Sequence, residues 1–479
     1  MKYFIQTFGC QLNYADTEKI SMIFLQSWIS KADSYKEANI VILNTCSVRK
    51  KWEDKALWII REIHRFNKLN KTKVIVWVTG CMVKKTWINS AYLHWENEKQ
   101  KVKQIELLKS LDSIFNSDDT LFTRKYSPDF VFRVEEISCI PKILSYILNE
   151  NIWNDVKINQ YLELEQLREN PASANIIIQT WCDNFCTFCI VPYTRGREVW
   201  RKIDDIVNEA KIAIASWAKE ITLLGQNVNS YGKTTKSKLW DKQWLTWNNK
   251  DIQTPFRELL NKLDKIEWID RIRFTSSNPH DMTRDILDAH FELDHTCNYL
   301  HFALQSGNND VLKRMNRKHT VKDFREMVNY LRQKDPLFAV STDIIVWFPG
   351  ETEVEFLDTC RVFEELEFDF AYIARYSERS WTHASKHLKD NVSDQEKARR
   401  WDILNTLLKK NIEKRSKVMI GREEEILVTS KSKKHGIAWR TRNFKEVFID
   451  YDEQINIWDM VKVKITELDR WVLRWEILG

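Results

Sequence analysis

Short strands that alternate with helical segments constrain the fold of this chain more than any other feature. The runs KYFIQTF, NIVILNT and KVIVWVT are β-branched or aromatic, and segments of helical period such as YADTEKISMIFLQ separate them. This alternation predicts a parallel sheet with helices on its faces. A second series begins near residue 168, with candidate strands ANIIIQT, EITLLG, RIRFTSS, YLHFALQ and VSTDIIVWF. Five or more such units predict a complete or partial (β/α) barrel.

The C-terminal part of the chain has a different pattern. Residues 385–416 are charged and amphipathic, which predicts a helix, and EEEILVTS, EVFIDY and DMVKVKITEL then alternate like short strands. Such strands predict a small all-β barrel. The expected fold class is therefore α/β, with a parallel-sheet N-terminal domain, a central partial (β/α) barrel and a C-terminal all-β barrel. The expected boundaries are 1–117 for the first domain, 118–167 for a connector, 168–415 for the core and 416–479 for the last domain.

Composition narrows the class of protein. Hydrophobic residues make up 43% of the 479 residues, but no run approaches the 18 apolar residues of a membrane span. The N-terminus MKYFIQTFGC lacks the apolar run and cleavage site of a signal peptide, so the expected location is the cytoplasm. Nine cysteines in a long cytoplasmic chain favour metal ligands or reactive thiols over disulfides. The net charge of +6 permits a nucleic-acid partner without demonstrating one.

Glycine is unusually rare in this sequence and tryptophan is unusually common. Glycine averages about 7% of residues, which would be roughly 34 here, whereas the chain has 10 glycines and 21 tryptophans. We hypothesise that most of these tryptophans are glycine codons translated under the wrong genetic code, with UGA read as tryptophan. Trp381, Trp439 and Trp458 stand where a turn would favour glycine. The alternative is a genuinely tryptophan-rich protein, and the coding DNA distinguishes the two.

Cys182, Cys186 and Cys189 have the spacing C-x3-C-x2-C after the strand ANIIIQT. Structural zinc takes four protein ligands, and no fourth cysteine or histidine lies nearby in sequence. An iron–sulfur cubane also has four ligand positions, so three thiolates leave one iron open for the amino and carboxylate groups of S-adenosylmethionine. The spacing, with Phe188 before the third cysteine, resembles the radical S-adenosylmethionine superfamily. Structural zinc and unrelated thiols are the alternatives.

Three further cysteines each follow a predicted parallel strand. Cys10 follows FIQTFG, Cys46 follows VILNT and Cys81 follows VIVWVTG, at intervals of 36 and 35 residues. Ligands of open α/β sheets bind at the carboxyl edge of the strands, so these thiols are predicted to converge on a second cluster with an open iron. The alternative is three cysteines buried by coincidence. For Cys139, Cys297 and Cys360 core packing is the expected role.

The motifs TFGCQLN, NTCSVR, VTGCMV and CDNFCTFCIVPYTRGRE resemble those of the methylthiotransferases. Further matches are ITLLGQNVNSY, LQSGNNDVLKRMNR, DIIVWFPGET and WRTRN, so the resemblance spans nearly the whole chain except 91–165 and 233–254. It implies a methylthiotransferase domain, a radical S-adenosylmethionine barrel and a C-terminal TRAM domain. QLN after Cys10 favours the branch that acts on dimethylallyladenosine in tRNA. The branches for threonylcarbamoyl-adenosine and for a ribosomal protein are alternatives, as is a non-catalytic iron–sulfur RNA-binding protein.

The resemblance implies two [4Fe–4S] clusters and S-adenosylmethionine as cofactors. One cluster, on Cys182, Cys186 and Cys189, would cleave S-adenosylmethionine to a radical that removes hydrogen from C2 of the adenine. The other, on Cys10, Cys46 and Cys81, would carry the sulfur, and the product would be the 2-methylthio derivative of N6-dimethylallyladenosine at position 37 of tRNA. Candidate contacts to the cofactor or substrate are Phe188, Gly225, Gln226, Asn227, Gln305 and Ser306, with Asp343 and Glu351 as further candidates.

The expected partner is the anticodon loop of tRNA, together with an electron donor and a sulfur donor that the sequence does not identify. The chain is expected to act as a monomer. Candidate phosphate contacts in the C-terminal barrel are Lys431, Lys433, Lys434, Arg440 and Arg442, with Lys445 beside them. The chain departs from the family pattern at four positions, which hold tryptophan where the family has glycine: Trp181, Trp217, Trp347 and Trp439.

Overall fold

The computed structural model describes residues 1–47, 50–83, 126, 128–141, 143–144, 161–195, 197–233, 247–390, 392–432, 436–449, 453–469 and 472–478. The chain forms two compact units, one of Met1–Leu167 with Ile190–Gly196 and one of Arg168–Cys189 with Arg197–Gly479. Within the described ranges, every helix is too short or too polar to cross a membrane.

The first unit contains a five-stranded parallel sheet. Its strands are β1 (Lys2–Thr7), β2 (Ser30–Lys31), β3 (Ile40–Thr45), β4 (Ile75–Gly80) and β5 (Phe130–Val131), in the spatial order β2-β1-β3-β4-β5. Helix α1 (Gln11–Gln26) follows β1, and helix α2 (Lys50–Asn70) follows β3. The central strand β3 is buried along its whole length, which explains its continuous apolar run. The parallel sheet predicted from the sequence is confirmed, and short 3-10 helices at Val134–Cys139 and Tyr161–Glu163 complete the unit.

The second unit contains six parallel strands in a partial barrel. The six are β6 (Ser173–Ile177), β9 (Glu220–Leu224), β10 (Arg271–Phe274), β11 (Tyr299–His301), β12 (Ala339–Val346) and β13 (Phe370–Arg375), and a short antiparallel pair, β7 (Gln179–Thr180) with β8 (Val199–Trp200), lies between β6 and β9 in the sequence. Strands β10-β9-β6 and β11-β12-β13 form two parallel sheets, and isolated bridges such as Ser277↔Phe302 connect them. The partial barrel is confirmed, whereas strand β13 was missed because FAYIAR is partly exposed and alternates weakly.

Helices surround these strands and share one apolar core with them. They are α4 (Ile203–Ala215), α5 (Pro255–Leu263), α6 (Arg284–Glu292), α7 (Asn309–Arg314), α8 (Val321–Lys334), α9 (Glu353–Leu366), α10 (His383–His387) and α11 (Asp394–Lys417), while α3 (Val191–Thr194) belongs to the first unit. Helix α5 buries Phe256, Leu259 and Leu260 completely, and full burial of such side chains contributes about 1.5–3 kcal/mol each. Capping boxes at Thr320 and Thr352 start α8 and α9.

The C-terminal strands close into the predicted small barrel. They are β14 (Glu423–Ser432), β15 (Gly436–Thr441), β16 (Glu446–Ile449), β17 (Met460–Asp469) and β18 (Val472–Ile477), in the order β14-β15-β16-β18-β17. Arg271 and Arg273, on strand β10, donate hydrogen bonds to backbone carbonyls of this barrel at Glu425, Arg440, Thr441 and Arg442, over 2.6–2.9 Å. The small barrel is therefore docked on the central one by buried arginines.

Seven tryptophans adopt the left-handed backbone conformation that favours glycine. Of the 14 residues other than glycine with positive φ in the described part of the chain, half are tryptophan: Trp28, Trp181, Trp217, Trp268, Trp347, Trp381 and Trp458. A bulky side chain rarely adopts this conformation because its Cβ crowds the backbone. Trp381 and Trp458 thus behave as the sequence predicted. The expectation of a turn at Trp439 is wrong, because Trp439 lies in strand β15.

Two of these tryptophans occupy the glycine position of a Schellman motif. After α1, the Trp28 N–H donates to Leu25 and the Ile29 N–H donates to Phe24; after α4, Trp217 and Ala218 repeat both bonds to Ile214 and Ala213. This motif needs a left-handed residue just beyond the helix, which is usually glycine. Trp28 and Trp217 are 93% and 72% exposed, so packing of their side chains offers little compensation for the strain. The Schellman hydrogen bonds and the exposed side chains both support the hypothesis that the codons for positions 28 and 217 encode glycine.

Candidate functional site

Three cysteines lie at the carboxyl ends of three neighbouring strands in the first unit. Cys10 follows β1 and starts α1, Cys46 follows β3, and Cys81 follows β4. The spatial order of these strands is β1-β3-β4, so the sheet brings together thiols that are 35 or 36 residues apart in sequence. We name Cys10, Cys46 and Cys81 the strand-end site.

Two glycines allow the three strand ends to approach closely. A Cβ atom on Gly9, which has φ +123°, would lie 2.7 Å from Cys46 Cβ. A Cβ atom on Gly80, which has φ +90°, would lie 2.3 Å from the Thr45 carbonyl oxygen. Both positions therefore require glycine for conformation and for space. Gly9, before Cys10, and Gly80, before Cys81, therefore leave room for the segment that carries Cys46.

Asn13, from the QLN motif, fastens α1 to the end of β3. Its buried side-chain amide donates to Asn44 Oδ1 at 3.1 Å and to the Thr45 carbonyl at 2.9 Å. Its carbonyl accepts from Asn44 Nδ2 at 2.7 Å, and its Oδ1 accepts from the Cys10 thiol at 3.3 Å. The asparagine that the sequence offered only as a subfamily marker therefore positions Cys10 beside the Cys46 segment.

The thiols of the strand-end site influence one another. Part of the Cys10 residue is exposed, but protein atoms surround its thiol, and burial raises the pKa of that thiol while the nearby Cys81 raises it further and Arg195 lowers it. Cys46 and Cys81 are buried. A metal cluster would bind here with loss of the thiol protons, because thiolates are the ligands.

The second cysteine group occupies a loop of the second unit. Cys182, Cys186 and Cys189 lie between β7 and β8, which pair in antiparallel fashion through Gln179↔Trp200 and Thr180↔Val199. Burial raises the pKa of the Cys182 thiol, and the neighbouring Cys186 and Cys189 raise it further. The three thiols are therefore close in space as well as in sequence. We name Cys182, Cys186 and Cys189 the loop site.

Residues at the end of α7 hold the loop site in place. The Thr187 N–H donates to the Met315 carbonyl at 3.1 Å, and the Asn316 amide donates to the Phe185 carbonyl at 3.0 Å. Arg317 donates from Nη1 to the Cys186 sulfur at 3.6 Å. Arg317 is not among the site residues predicted from the sequence, although it lies in the motif LQSGNNDVLKRMNR.

The donor sets fit iron–sulfur clusters better than a single metal ion. Across the described ranges, no group of three or more His, Cys, Asp or Glu side chains is placed to hold one metal ion. A cubane instead distributes its ligands over separate iron atoms, so its three cysteines need not meet at one point. Each site supplies three cysteines, and each leaves one position of a cubane without a protein ligand.

The remaining candidates for cofactor contact lie at or near strand ends of the central barrel. Phe188 packs edge-on against Phe348 with ring centroids 6.4 Å apart, and Gly225 and Gln226 follow β9 directly. The Asn227 amide donates to Asp281 at 2.6 Å. Gln305 has φ +77°, and Ser306 is buried beside it.

Asp343 and Glu351 both have charged or titratable partners. Asp343 lies 3.4 Å from His301 Nε2. Glu351 is buried, and burial raises its pKa to about 7 although the Trp347 N–H and the Arg400 guanidinium, 3.0 Å away, oppose the shift. Contact of Asp343 or Glu351 with a cofactor or substrate stays a prediction.

The basic residues proposed for RNA are largely engaged within the protein. Arg442 donates to backbone carbonyls of Asp294 and Thr296, the second at 3.2 Å, and Lys445 pairs with Asp369 at 2.7 Å. Arg440 lies over the Phe444 ring at 4.4 Å. Lys431 donates to the Glu453 carbonyl at 3.0 Å, and the side chains of Lys433 and Lys434 lie outside the described residues. These contacts favour docking of the small barrel as the role of Arg442 and Lys445.

Comparisons with known families define the class of protein. Residues 176–363 match the Radical SAM superfamily, residues 417–478 match the TRAM domain, and residues 2–98 match the uncharacterized protein family UPF0004. The radical S-adenosylmethionine match implies a [4Fe–4S] cluster and S-adenosylmethionine as cofactors. The chain is thus a radical S-adenosylmethionine transferase with a TRAM domain at its C-terminal end.

Curated relatives identify the family more closely. The tRNA-2-methylthio-N(6)-dimethylallyladenosine synthase of Thermoanaerobacter sp. (strain X514) is 35% identical and covers 99% of this chain and 92% of its own length. The enzyme of the same name from Christiangramia forsetii is 34% identical and covers 100% and 94%. The chain belongs to this methylthiotransferase family. Among solved structures, the radical S-adenosylmethionine methyltransferase TsrM of Kitasatospora setae has a TM-score of 0.44 at 12% identity, covering 80% of this chain and 74% of its own.

Proposed function

We propose that this protein is the tRNA methylthiotransferase that converts N6-dimethylallyladenosine, beside the anticodon, to its 2-methylthio derivative. The observation that carries the proposal is the presence of two separate three-cysteine sites, one on strand ends and one in a loop. One site suffices for cleavage of S-adenosylmethionine, so the second site must have a different chemical role. Delivery of sulfur is the chemistry that the family name implies, and the matching names of full-length relatives support the substrate.

The residues of each site have separate tasks in this proposal. A [4Fe–4S] cluster with S-adenosylmethionine supplies radical chemistry when bound, which the unreactive C2–H bond of adenine requires because no side-chain base removes that hydrogen. The loop cysteines would hold that cluster, and Arg317 would donate a hydrogen bond to the Cys186 sulfur through its 3.6 Å contact. The strand-end cysteines would hold the second cluster, and Asn13 would keep Cys10 in place.

Binding of RNA is assigned to the TRAM barrel as a whole. A loop base of tRNA can be displaced into a pocket at modest cost. Because Arg442 and Lys445 are engaged with the central barrel, the exposed basic residues Lys462 and Lys464 on β17 join Lys431 and Arg440 as candidates for phosphate contact. Salt-dependent tRNA binding would result from such contacts.

The decisive experiment measures the modified nucleoside. The full chain is reconstituted without oxygen and incubated with S-adenosylmethionine, a reductant and dimethylallyl-modified tRNA, and the digested RNA is analysed by mass spectrometry. We expect 2-methylthio-N6-dimethylallyladenosine, lost in Cys182→Ala and in Cys10→Ala. Cys139→Ala, a cysteine outside both sites, is the matched control and should retain the product. Two loaded clusters with an unchanged nucleoside would refute the substrate, and threonylcarbamoyl-adenosine tRNA and ribosomal protein would then be tested.

A further inference from the structure

Arg195 is a fully buried arginine in the first unit, with 1% of its side chain exposed. It belongs to the segment Ile190–Gly196, which packs with residues 1–167. Its Nη2 donates to Asp16 Oδ2 at 2.8 Å, and the same carboxylate accepts a hydrogen bond from the Tyr161 hydroxyl. Asp16 is itself completely buried. Burial of an ion pair carries a desolvation cost in free energy, and a functional role for Arg195 would explain why the protein bears that cost.

The ion pair occupies only one nitrogen of the Arg195 guanidinium. Nε and Nη1 are buried and have no hydrogen-bond partner, although a buried donor left unpaired costs about 1–3 kcal/mol. The Cys81 thiol lies within hydrogen-bonding reach of the guanidinium and, after Asp16, raises the pKa of Arg195, while Arg195 lowers the pKa of the Cys10 thiol. The unpaired donors therefore belong to a guanidinium that lies beside the strand-end site.

The charges at this site indicate what the donors would bind. Asp16 offsets the charge of Arg195 but occupies only one of its three nitrogens. Three cysteine thiolates on a cubane, with an anionic sulfur at the open position, would place net negative charge in a buried pocket. Arginine suits such a ligand because it is always charged and its remaining N–H groups can donate charge-assisted hydrogen bonds.

We propose that Arg195 is a positioning residue that donates a hydrogen bond from one of its remaining nitrogens, Nε or Nη1, to an anionic sulfur species, a hydrosulfide or an alkanethiolate, held at the strand-end site. Asp16, itself held by Tyr161, fixes the orientation of the guanidinium. The proposal rests on the proposed function, because only a second cluster that carries sulfur has such a ligand.

Methanethiolate binding tests the proposal without tRNA. The parent is the full chain with Cys182, Cys186 and Cys189 changed to alanine, so that only the strand-end site holds a cluster. Methanethiolate is titrated into the reduced protein while its electron paramagnetic resonance spectrum is recorded. We expect Arg195→Gln to raise the apparent Kd for methanethiolate at least about tenfold at unchanged iron content, since hydrogen bonds to charged groups are among the strong ones.

A second arginine of the same unit provides the matched control. Arg133 is 3% exposed and pairs with Glu135 at 3.1 Å, so Arg133→Gln also removes a buried paired charge but should leave the Kd unchanged. Arg195→Lys keeps the charge and loses the planar fork, and its Kd should lie between those of the parent and Arg195→Gln. Arg195→Gln with the parent's Kd would overturn the proposal.

The same experiment separates this inference from the proposed function. A parent that binds no iron at the strand-end site would refute the two-cluster mechanism itself. If Arg195→Gln fails to retain iron, Arg195→Lys decides the matter: a weakened Kd at full iron content supports the proposal, and an unchanged Kd overturns it.

Discussion

The strand-end site and the loop site each present three cysteines, but they are built in different ways. In the loop site the cysteines lie within eight residues, and one short antiparallel pair, β7 with β8, closes the segment that carries them. In the strand-end site they are 36 and 35 residues apart, and a parallel sheet brings them together. The loop site is therefore largely a property of local sequence, whereas the strand-end site exists only in the folded sheet.

The two sites also depend on different kinds of support. Gly9, Gly80 and Asn13 surround the strand-end site, and they act through backbone packing and buried amides. The loop site is supported from outside by Thr187, Asn316 and Arg317, through hydrogen bonds to loop atoms. Changes to the backbone should thus damage the strand-end site first, and changes to side-chain donors should modulate the loop site.

The largest expected effect separates the chemistry of the two sites. Cys182→Ala should abolish both the methylthio product and the formation of 5′-deoxyadenosine, because the loop site is assigned to cleavage of S-adenosylmethionine. Cys46→Ala should abolish the product but leave 5′-deoxyadenosine formation detectable. Chromatography of the nucleosides measures both. Equal loss of 5′-deoxyadenosine in the two variants would show that the sites do not have separate tasks.

The next effect concerns the backbone at the strand-end site. Gly80→Ala should lower the free energy of unfolding by at least about 3 kcal/mol, because the new Cβ meets Thr45 backbone atoms at 2.3 and 2.6 Å in a left-handed conformation. Iron bound at the strand-end site should fall, while iron at the loop site is kept. Gly421→Ala is the control, since Gly421 has φ +83° but no atom within 4 Å of the new Cβ; it should cost about 1–2 kcal/mol. Equal losses would rule out the close approach as the cause.

A smaller and opposite effect is expected at the left-handed tryptophans. Trp28→Gly and Trp217→Gly should each raise the free energy of unfolding by about 1–3 kcal/mol, because they remove strain at φ +58° and +76°. Trp181→Gly, with φ +70° next to Cys182, should also increase iron at the loop site. Urea unfolding and iron analysis measure these changes. Trp77→Gly, at a buried strand position, should instead destabilise the protein, and stabilisation there would contradict the conformational argument.

The smallest effect is expected at Arg317, which supports the loop site through a hydrogen bond to Cys186. Arg317→Gln removes the contact of 3.6 Å to Cys186 and should reduce product formation by about tenfold, the lower end for partners of metal ligands. Arg314→Gln is a suitable control, because Arg314 pairs with Glu355 at 2.9 Å and does not contact a cysteine through its side chain. Redox titration of the loop cluster gives an independent readout, and an unchanged potential in Arg317→Gln would exclude a direct influence on the thiolate.

Much of the fold was predictable because its signals are local. Strands β1, β3, β4, β9 and β12 are short runs rich in aliphatic, β-branched or aromatic residues, and their parallel arrangement follows from the helices between them. The loop site was predictable from the C-x3-C-x2-C spacing alone. The roles of Arg195 and Arg317 were not predictable in the same way, because 179 residues separate Arg195 from Asp16 and 131 separate Arg317 from Cys186.

By itself the sequence determined most of the order of strands and helices, the six cysteines, and the excess of tryptophan over glycine. These are properties of neighbouring residues or of composition, and they need no knowledge of distant contacts. Only the tertiary structure decided that Cys10, Cys46 and Cys81 occupy adjacent strand ends, that seven tryptophans have left-handed backbones, and that Arg442 docks one barrel on another. The physical reason is that close approach, backbone strain and buried hydrogen bonds arise between residues far apart in the chain.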